Sequence, residues 1–364
     1  MNAIIVEGLS KTFKAKVKEP GLSGSWRSIF NPVYREVCAV AGIDFKVDSG
    51  EMLAFIGPNG AGKSTTIKML TGILHPSAGQ AQVLGFVPWK DRYQMSFRIG
   101  AVFGQRSQLW YHLPPLDTFD LLARIYEIPA TDFRKRRDEL IDRFDLGEFQ
   151  KTPVRKLSLG QRMRCEVAAS LLHRPEVLFL DEPTIGLDVV AKQKIRDLIG
   201  EMNKTEGMTV FLTSHDTGDI EQLCKRAVVI NHGTIVLDTR VSHLKRDYIA
   251  GKIVDLRVTT EVNDFAFPGV TILKSSKYGL KLEVDTKAQS IDRVLAHLMN
   301  DYQVVDITIS DPPLEQVISS IYSEGPAAAA NVNENVSGTA DAAGAPSAGT
   351  TSDPNPREGG AHDQ

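Results

Sequence analysis

Short apolar runs recur along the first two thirds of the chain: Met52–Ile56, Ile99–Phe103, Val177–Leu180, Val210–Thr213 and Ala227–Ile230. Each is continuous rather than alternating, which predicts strands buried on both faces. Helical patterns separate several of them, so the connections are crossovers and the sheet is largely parallel. Ala3–Val6 opens the chain as a further strand candidate. Between about Arg106 and Arg174 strand signals vanish, and Phe119–Tyr126 and the charged Phe133–Phe144 read as helices. This predicts a helical subdomain inserted into an α/β core, with the basic run Arg134–Arg137 on a solvated helix face. After Arg240 the pattern changes to strands at Ile253–Thr260, Val270–Leu273, Leu280–Val284 and Val304–Ile309, with a helix at Ile291–Met299.

The expected organisation is therefore a main α/β domain over residues 1–240 and a small α+β domain over 241–325. Residues 326–364 follow, rich in Ala, Gly, Ser, Asn, Thr and Pro, with little to bury and an expectation of disorder. Residues 16–36 interrupt the opening strands as an insertion. Within it Trp26, Ile29, Phe30, Val33 and Tyr34 have helical spacing beside Arg27 and Arg35. That suits either a small amphipathic helix touching lipid or a membrane partner, or a turn packed on its own domain.

Composition narrows the class. Of 364 residues, 42% are hydrophobic and 24% charged, enough to bury a core, and nothing in the net charge of -3 argues for nucleic acid or an anionic membrane as the main partner; no nucleic acid is expected. Cys38, Cys165 and Cys224 lie far apart, which suits a reducing compartment. The N-terminal sequence lacks a secretory pattern, and no apolar run approaches the ~20 residues needed to cross a bilayer. Any work at a membrane is expected from one side.

The run Gly57-Pro58-Asn59-Gly60-Ala61-Gly62-Lys63-Ser64 fits G-x-x-x-x-G-K-[ST], between the strand Met52–Ile56 and a helix over Thr65–Leu70. Glycines let the backbone wrap a phosphate with its N–H groups turned inward, and the helix adds its positive end. Lys63 would neutralise β- and γ-phosphates, Ser64 would ligate magnesium, and Thr65 is placed for the α-phosphate. A strand ending in two acids, Val177-Leu178-Phe179-Leu180-Asp181-Glu182, is costly unless they face a cation or a catalytic water. Asp181 would orient the magnesium and Glu182 would polarise the attacking water.

Leu157-Ser158-Leu159-Gly160-Gln161 resembles the LSGGQ signature of ABC ATPases, and the run from Val6 to about Asp238 resembles one nucleotide-binding cassette of that family. The phosphate loop, Gln105, the signature, Asp181-Glu182, the turn Gly186-Leu187-Asp188 and His215 appear in the family's order. The resemblance implies a P-loop NTPase fold, ATP and Mg2+ as ligands, and two cassettes paired head to tail in a homodimer around the nucleotide. Ser158, Gly160 and Gln161 would then meet the γ-phosphate of the partner cassette. Gln105 would reach magnesium and water, His215 the γ-phosphate, and Asp188 would join the protomers. Gln105 sits one residue later than the common pattern, which leaves Gln108 as a rival. Leu159 stands where the family has glycine, and the loop is expected to tolerate it. Phe13 matches the adenine-stacking aromatic at the end of the first strand, with Tyr34 competing. Trp110 and Tyr111 either line the groove for the membrane subunit or pack in the core.

The phosphate loop, the small C-terminal domain and the segment Pro313-Leu314-Glu315-Gln316-Val317 resemble single-cassette ATPases of drug and polysaccharide exporters, daunorubicin-resistance types nearest. This implies a motor on the cytoplasmic face of the cell membrane, driving a separate permease. An importer ATPase is the alternative. A soluble ABC ATPase fits less well, because the stretch from loop to signature is too short for a long coiled coil and one cassette is visible.

Overall fold

The computed structural model describes residues 1–16, 34–104, 107–214, 216–248, 251–262, 265–314, 316–318 and 321. Most of the insertion and the whole 326–364 tail lie outside these. Among the described residues the strands form three sheets.

β1 (Asn2–Lys16) pairs antiparallel with β2 (Tyr34–Asp48) and with β4 (Ala78–Val83), giving the order β2-β1-β4. The central sheet has the order β5-β6-β7-β3-β8-β9, from β3 (Met52–Ile56), β5 (Ile99–Phe103), β6 (Val177–Asp181), β7 (Thr209–Thr213), β8 (Arg226–Asn231) and β9 (Thr234–Arg240). Its first five members are parallel, and β9 returns antiparallel to β8.

The continuous apolar runs follow from burial on two sides. Phe55, Phe179 and Phe211 point towards the three-stranded sheet, and Ala54, Leu180 and Leu212 towards the helices. Phe45 of β2 joins that aromatic row: its centroid lies 5.6 Å from Phe55, which is 5.2 Å from Phe211, itself 5.8 Å from Phe179. The row fixes the spacing of the two sheets.

The helices are α1 (Lys63–Leu70), α2 (Arg92–Ser96), α3 (Pro115–Ile125), α4 (Ala130–Arg143), α5 (Leu159–Ser170), α6 (Val189–Glu206), α7 (Thr217–Leu223), α8 (Val241–Tyr248) and α9 (Ile291–Asp301). α3 to α5 occupy the stretch without strand signals. Buried Arg136 of α4 donates to both carboxylate oxygens of Glu206 at the end of α6, at 2.6 and 2.8 Å, and to the Leu171 carbonyl. This fastens the helical region to the core.

Beyond α8, β10 (Gly251–Val258), β11 (Val270–Ser276), β12 (Gly279–Asp285) and β13 (Val304–Ser310) form an antiparallel sheet in the order β11-β12-β10-β13. Val254, Leu256, Leu280 and Leu282 cover one side with Val294 and Leu298 of α9. The chain then returns: Leu314, Val317, Ile318 and Ile321 join the same core cluster as Leu237, Val241 and Leu244.

Several elements differ from the sequence expectation. Tyr34 pairs with Lys16 at the outer end of the β1–β2 ribbon, so it is strand rather than helix; residues 26–33 lie outside the described residues. Strand β1 runs on to Lys16, which leaves Phe13 within it rather than at its end. β4 shows almost no apolar pattern because only Ala81 and Val83 face the core. α3 and α4 start earlier than predicted, at Pro115 and Ala130: proline at the first position of α3 presets a helical φ, and α4 follows Pro129 at its N-cap.

Candidate functional site

Open parallel sheets gather ligands outside the carboxyl ends of their strands. Here β3, β7 and β6 lie side by side, and their exits carry the glycine loop, Ser214 and Asp181-Glu182. One row of the sheet aligns Phe103, Asp181 and Thr213.

The glycine loop is shaped by its backbone. Gly60 and Gly62 have φ of 82° and 112°, a region that side chains disfavour. A Cβ at Gly57 would lie 2.3 Å from the Ile230 carbonyl oxygen, and one at Gly62 2.5 Å from that of Ala39. The loop therefore sits tight against β8 and β2. Lys63 follows as the first residue of α1 and is 5% exposed. Its Nζ donates to the carbonyls of Gly57 at 2.7 Å and Pro58 at 3.2 Å, and lies 3.9 Å from Glu182 Oε1. Burial pulls this ammonium below the usual lysine range, and the Glu182 and Asp181 carboxylates pull it back up.

Ser64 Oγ donates to Asp181 Oδ1 at 3.1 Å, and Thr213 Oγ1 donates to the same oxygen at 2.7 Å. Glu182 has φ of 57°, a left-handed backbone unusual for glutamate, and such strain gathers at functional sites. Gly104 approaches from β5: its N–H donates to the Asp181 carbonyl at 2.9 Å, and a Cβ there would lie 2.7 Å from the Glu182 carbonyl oxygen. A cavity of about 520 Å3 opens over these groups, lined by Asn59, Gly60, Lys63, Ser64, Asp181 and Glu182. Thr65 and Ala39 also reach it.

The structure thus brings the phosphate loop and both acids to one place. It does not bring the signature there. Ser158 caps α5 in a reciprocal box, its Oγ accepting from the Gln161 N–H at 3.1 Å and its own N–H donating to Gln161 Oε1 at 2.9 Å. Leu159 is the first helical residue and has no left-handed backbone, so the position makes no demand for glycine. Gly160 is close to the neighbouring helix: a Cβ would meet that of Ala191 at 3.0 Å. Asp188 caps α6 by accepting from the Ala191 N–H at 2.8 Å. Phe13 is partly exposed, with the Lys11 ammonium 5.4 Å from its ring, and neither Phe13 nor Tyr34 lines the cavity.

Gln105 and His215 lie outside the described residues; their neighbours Gly104 and Ser214 stand at the exits of β5 and β7. The rival Gln108 has its amide donating to the Glu166 carbonyl at 2.8 Å, which commits it to α5. Ser107 Oγ and the Gln108 N–H both donate to the buried Glu166 carboxylate. Trp110 and Tyr111 are exposed, so they are not core residues. Thr213 and Gly104 were not singled out from the sequence. Both act by adjacency across strands, which no local pattern records.

A family model described as ABC transporter matches residues 40–185. The daunorubicin resistance ATP-binding protein DrrA3 of Streptomyces coeruleorubidus is 32% identical over 290 residues, which span 78% of this chain and 91% of that one. The bacitracin transport ATP-binding protein BcrA of Bacillus licheniformis is 29% identical over 307 residues, 80% of this chain and 95% of that one. Among solved structures, the ATP-binding cassette MJ0796, a dimer in a post-hydrolysis state bound to ADP and Pi, superposes with a TM-score of 0.55 at 23% identity, covering 65% of this chain and 98% of that one. Fold and cavity together define a phosphate-loop nucleoside triphosphatase. With a relative above 30% identity matched over nine tenths of its length, the chain belongs to the ABC transporter family, as an ATP-binding and ATP-hydrolysing subunit.

Proposed function

We propose that this protein hydrolyses ATP at the Lys63–Glu182 cavity to drive export through a separate membrane-spanning permease, working from the cytoplasmic face of the cell membrane. The observation that carries the reading is the meeting of Lys63, Ser64, Asp181 and Glu182 around one glycine-walled cavity. The loop amides and Lys63 bind the phosphates, Thr65 assists at the α-phosphate, and Glu182 takes a proton from the attacking water. Gln105 and His215, which lie outside the described residues, are assigned by the order of motifs to the water and the γ-phosphate.

Ser64 and Asp181 hold Mg2+ in this reading. One hydroxyl and one carboxylate suit an ion that keeps waters and phosphate oxygens as its remaining ligands. When bound, it neutralises charge on the transferred group.

The signature serves a second copy. Ser158, Gly160 and Gln161 head a helix whose positive end would meet the partner's γ-phosphate. Beside it Leu159, Ile185, Val189 and Val190 are exposed, the last two at 80% and 78%. Leu159 Cδ2 lies 3.2 Å from the Cβ position of Gly186 in the turn leading to Asp188, so these side chains share one surface. Aliphatic groups grouped this way mark a contact surface. No described helix is long and apolar enough to cross a membrane. Export follows the relatives named for drug resistance and bacitracin transport.

The test is Glu182→Gln. Loss of a general base costs about 10²–10⁴ in rate, while ATP binding and nucleotide-trapped dimers should persist. Near-normal turnover would remove Glu182 from this role.

A further inference from the structure

A buried carboxylate outside the cavity ties the two catalytic exits together. Asp219 of α7 is 0% exposed and has three side-chain donors. Thr184 Oγ1 donates to its Oδ2 at 2.5 Å, Ser214 Oγ to the same oxygen at 2.6 Å, and Arg196 Nε to Oδ1 at 2.6 Å. Thr184 stands two residues after Glu182, and Ser214 immediately precedes position 215. One oxygen atom therefore grips both the β6 exit, which carries the candidate base, and the β7 exit, which carries the candidate phosphate-sensing histidine.

The rest of the cluster keeps that oxygen in place. Arg196, nearly buried on α6, extends a second arm to Asp216 Oδ1 at 2.7 Å, and Lys192 Nζ donates to Asp216 Oδ2 at 2.5 Å. The Asp216 N–H donates to Ser214 Oγ at 2.9 Å, and the Gly218 N–H to Asp216 Oδ1 at 2.9 Å. Gly218 packs closely on this side chain: a Cβ there would lie 2.8 Å from Arg196 Nη2 and 2.9 Å from Cζ, so the guanidinium would have to shift. The guanidinium thus lies flat on the start of α7, balancing two carboxylates.

We infer that Asp219, backed by Arg196, is a positioning residue that holds the Glu182 exit in register with the His215 exit, through the Thr184 and Ser214 hydroxyls. This rests on the hydrolytic reading of Glu182 and His215. Glu182 needs such support because its left-handed backbone persists only where its surroundings over-determine it. Among the described residues the two exits are also linked by the β6–β7 ladder ending at Asp181 and Thr213, by the Thr213 hydroxyl donating to Asp181 Oδ1 at 2.7 Å, and by the Glu182 N–H donating to the Thr213 carbonyl at 3.0 Å. A displacement of ~1 Å at a reacting centre costs on the order of 10²-fold in rate.

The experiment compares Thr184→Val, which keeps the shape and deletes the hydroxyl, with Thr184→Ser, which keeps the hydroxyl. Purified full-length protein is assayed for kcat, KM and ATP affinity, with Glu182→Gln in parallel. Thr184→Val should lose about tenfold or more in kcat, the scale of one buried hydrogen bond, with ATP affinity within about twofold of wild type. Thr184→Ser should recover most of that loss, and Ser214→Ala should resemble Thr184→Val. Should Glu182→Gln be inactive while Thr184→Val turns over normally, the positioning role is wrong and the hydrolytic reading stands. Equal slowing in the Val and Ser variants would assign the effect to packing and also overturn it. Normal turnover by Glu182→Gln would instead sink the hydrolytic reading itself.

Discussion

Lys63→Met removes the ammonium from the phosphate loop and leaves an unbranched chain of similar length. In the folded protein that ammonium is 5% exposed, hydrogen-bonded to two loop carbonyls and 3.9 Å from a carboxylate oxygen. Losing two hydrogen bonds costs about 1–3 kcal/mol in all, and relieving a buried cation that desolvation disfavours offsets part of that cost. Unfolding free energy should therefore change by less than about 1.5 kcal/mol.

Binding has no such compensation. Two unit charges about 4 Å apart interact by ~4 kcal/mol at an effective dielectric of ~20, which corresponds to roughly 10³ in affinity for a phosphate at that distance. Urea unfolding would measure the first quantity, and titration with a fluorescent ATP analogue the second. The two should separate, with affinity collapsing while stability holds. Affinity within about tenfold of wild type would refute the phosphate role. So would a destabilisation above about 3 kcal/mol, which would make Lys63 a structural anchor of the loop.

Two further outcomes are expected. Burial raises the Glu166 carboxyl above its usual range, with the Ser107 and Gln108 bonds pulling the other way. The folded state then holds this proton more tightly than the unfolded chain, so stability should fall as pH rises from the ordinary glutamate range through the raised one. Glu166→Gln should flatten that slope in urea midpoints taken across pH 4–8, and an unchanged slope would acquit Glu166. Val189→Asp places a charge on the exposed α6 terminus, so monomer stability should change by less than about 0.5 kcal/mol. In a Glu182→Gln background it should abolish ATP-dependent dimers on gel filtration, and surviving dimers would move the interface elsewhere.

What could be read from the chain depended on how local the physics was. The strands at Met52, Ile99, Val177 and Thr209 announced themselves because both of their faces are buried, so the apolar signal has no gaps. β4 has one half-buried face and only Ala81 and Val83 on it among Ala, Gly and Gln, so it left no trace. The phosphate loop was legible because its backbone curvature is written as glycines at set spacings, here Gly57, Gly60 and Gly62, directly before Lys63. The Ser64–Asp181 bond joins residues 117 apart, and only the order of motifs hinted at it. Asp219 escaped notice entirely, since nothing in Thr217-Gly218-Asp219 distinguishes a helix-cap turn from a carboxylate gripping Thr184 and Ser214.

The return of Leu314, Val317, Ile318 and Ile321 to the main core gives the β10–β13 unit two moorings, one through α8 before it and one after it. A unit moored twice cannot dangle as a pendant on a single hinge; any displacement of it loads both attachments. Shortening the gene before codon 314 would strip four buried aliphatic side chains from the core cluster that also holds Leu237, Val241 and Leu244, leaving a greasy scar on the remaining protein. Trimmed versions intended to isolate the motor should therefore keep that final stretch, by fusion if the intervening sheet is removed.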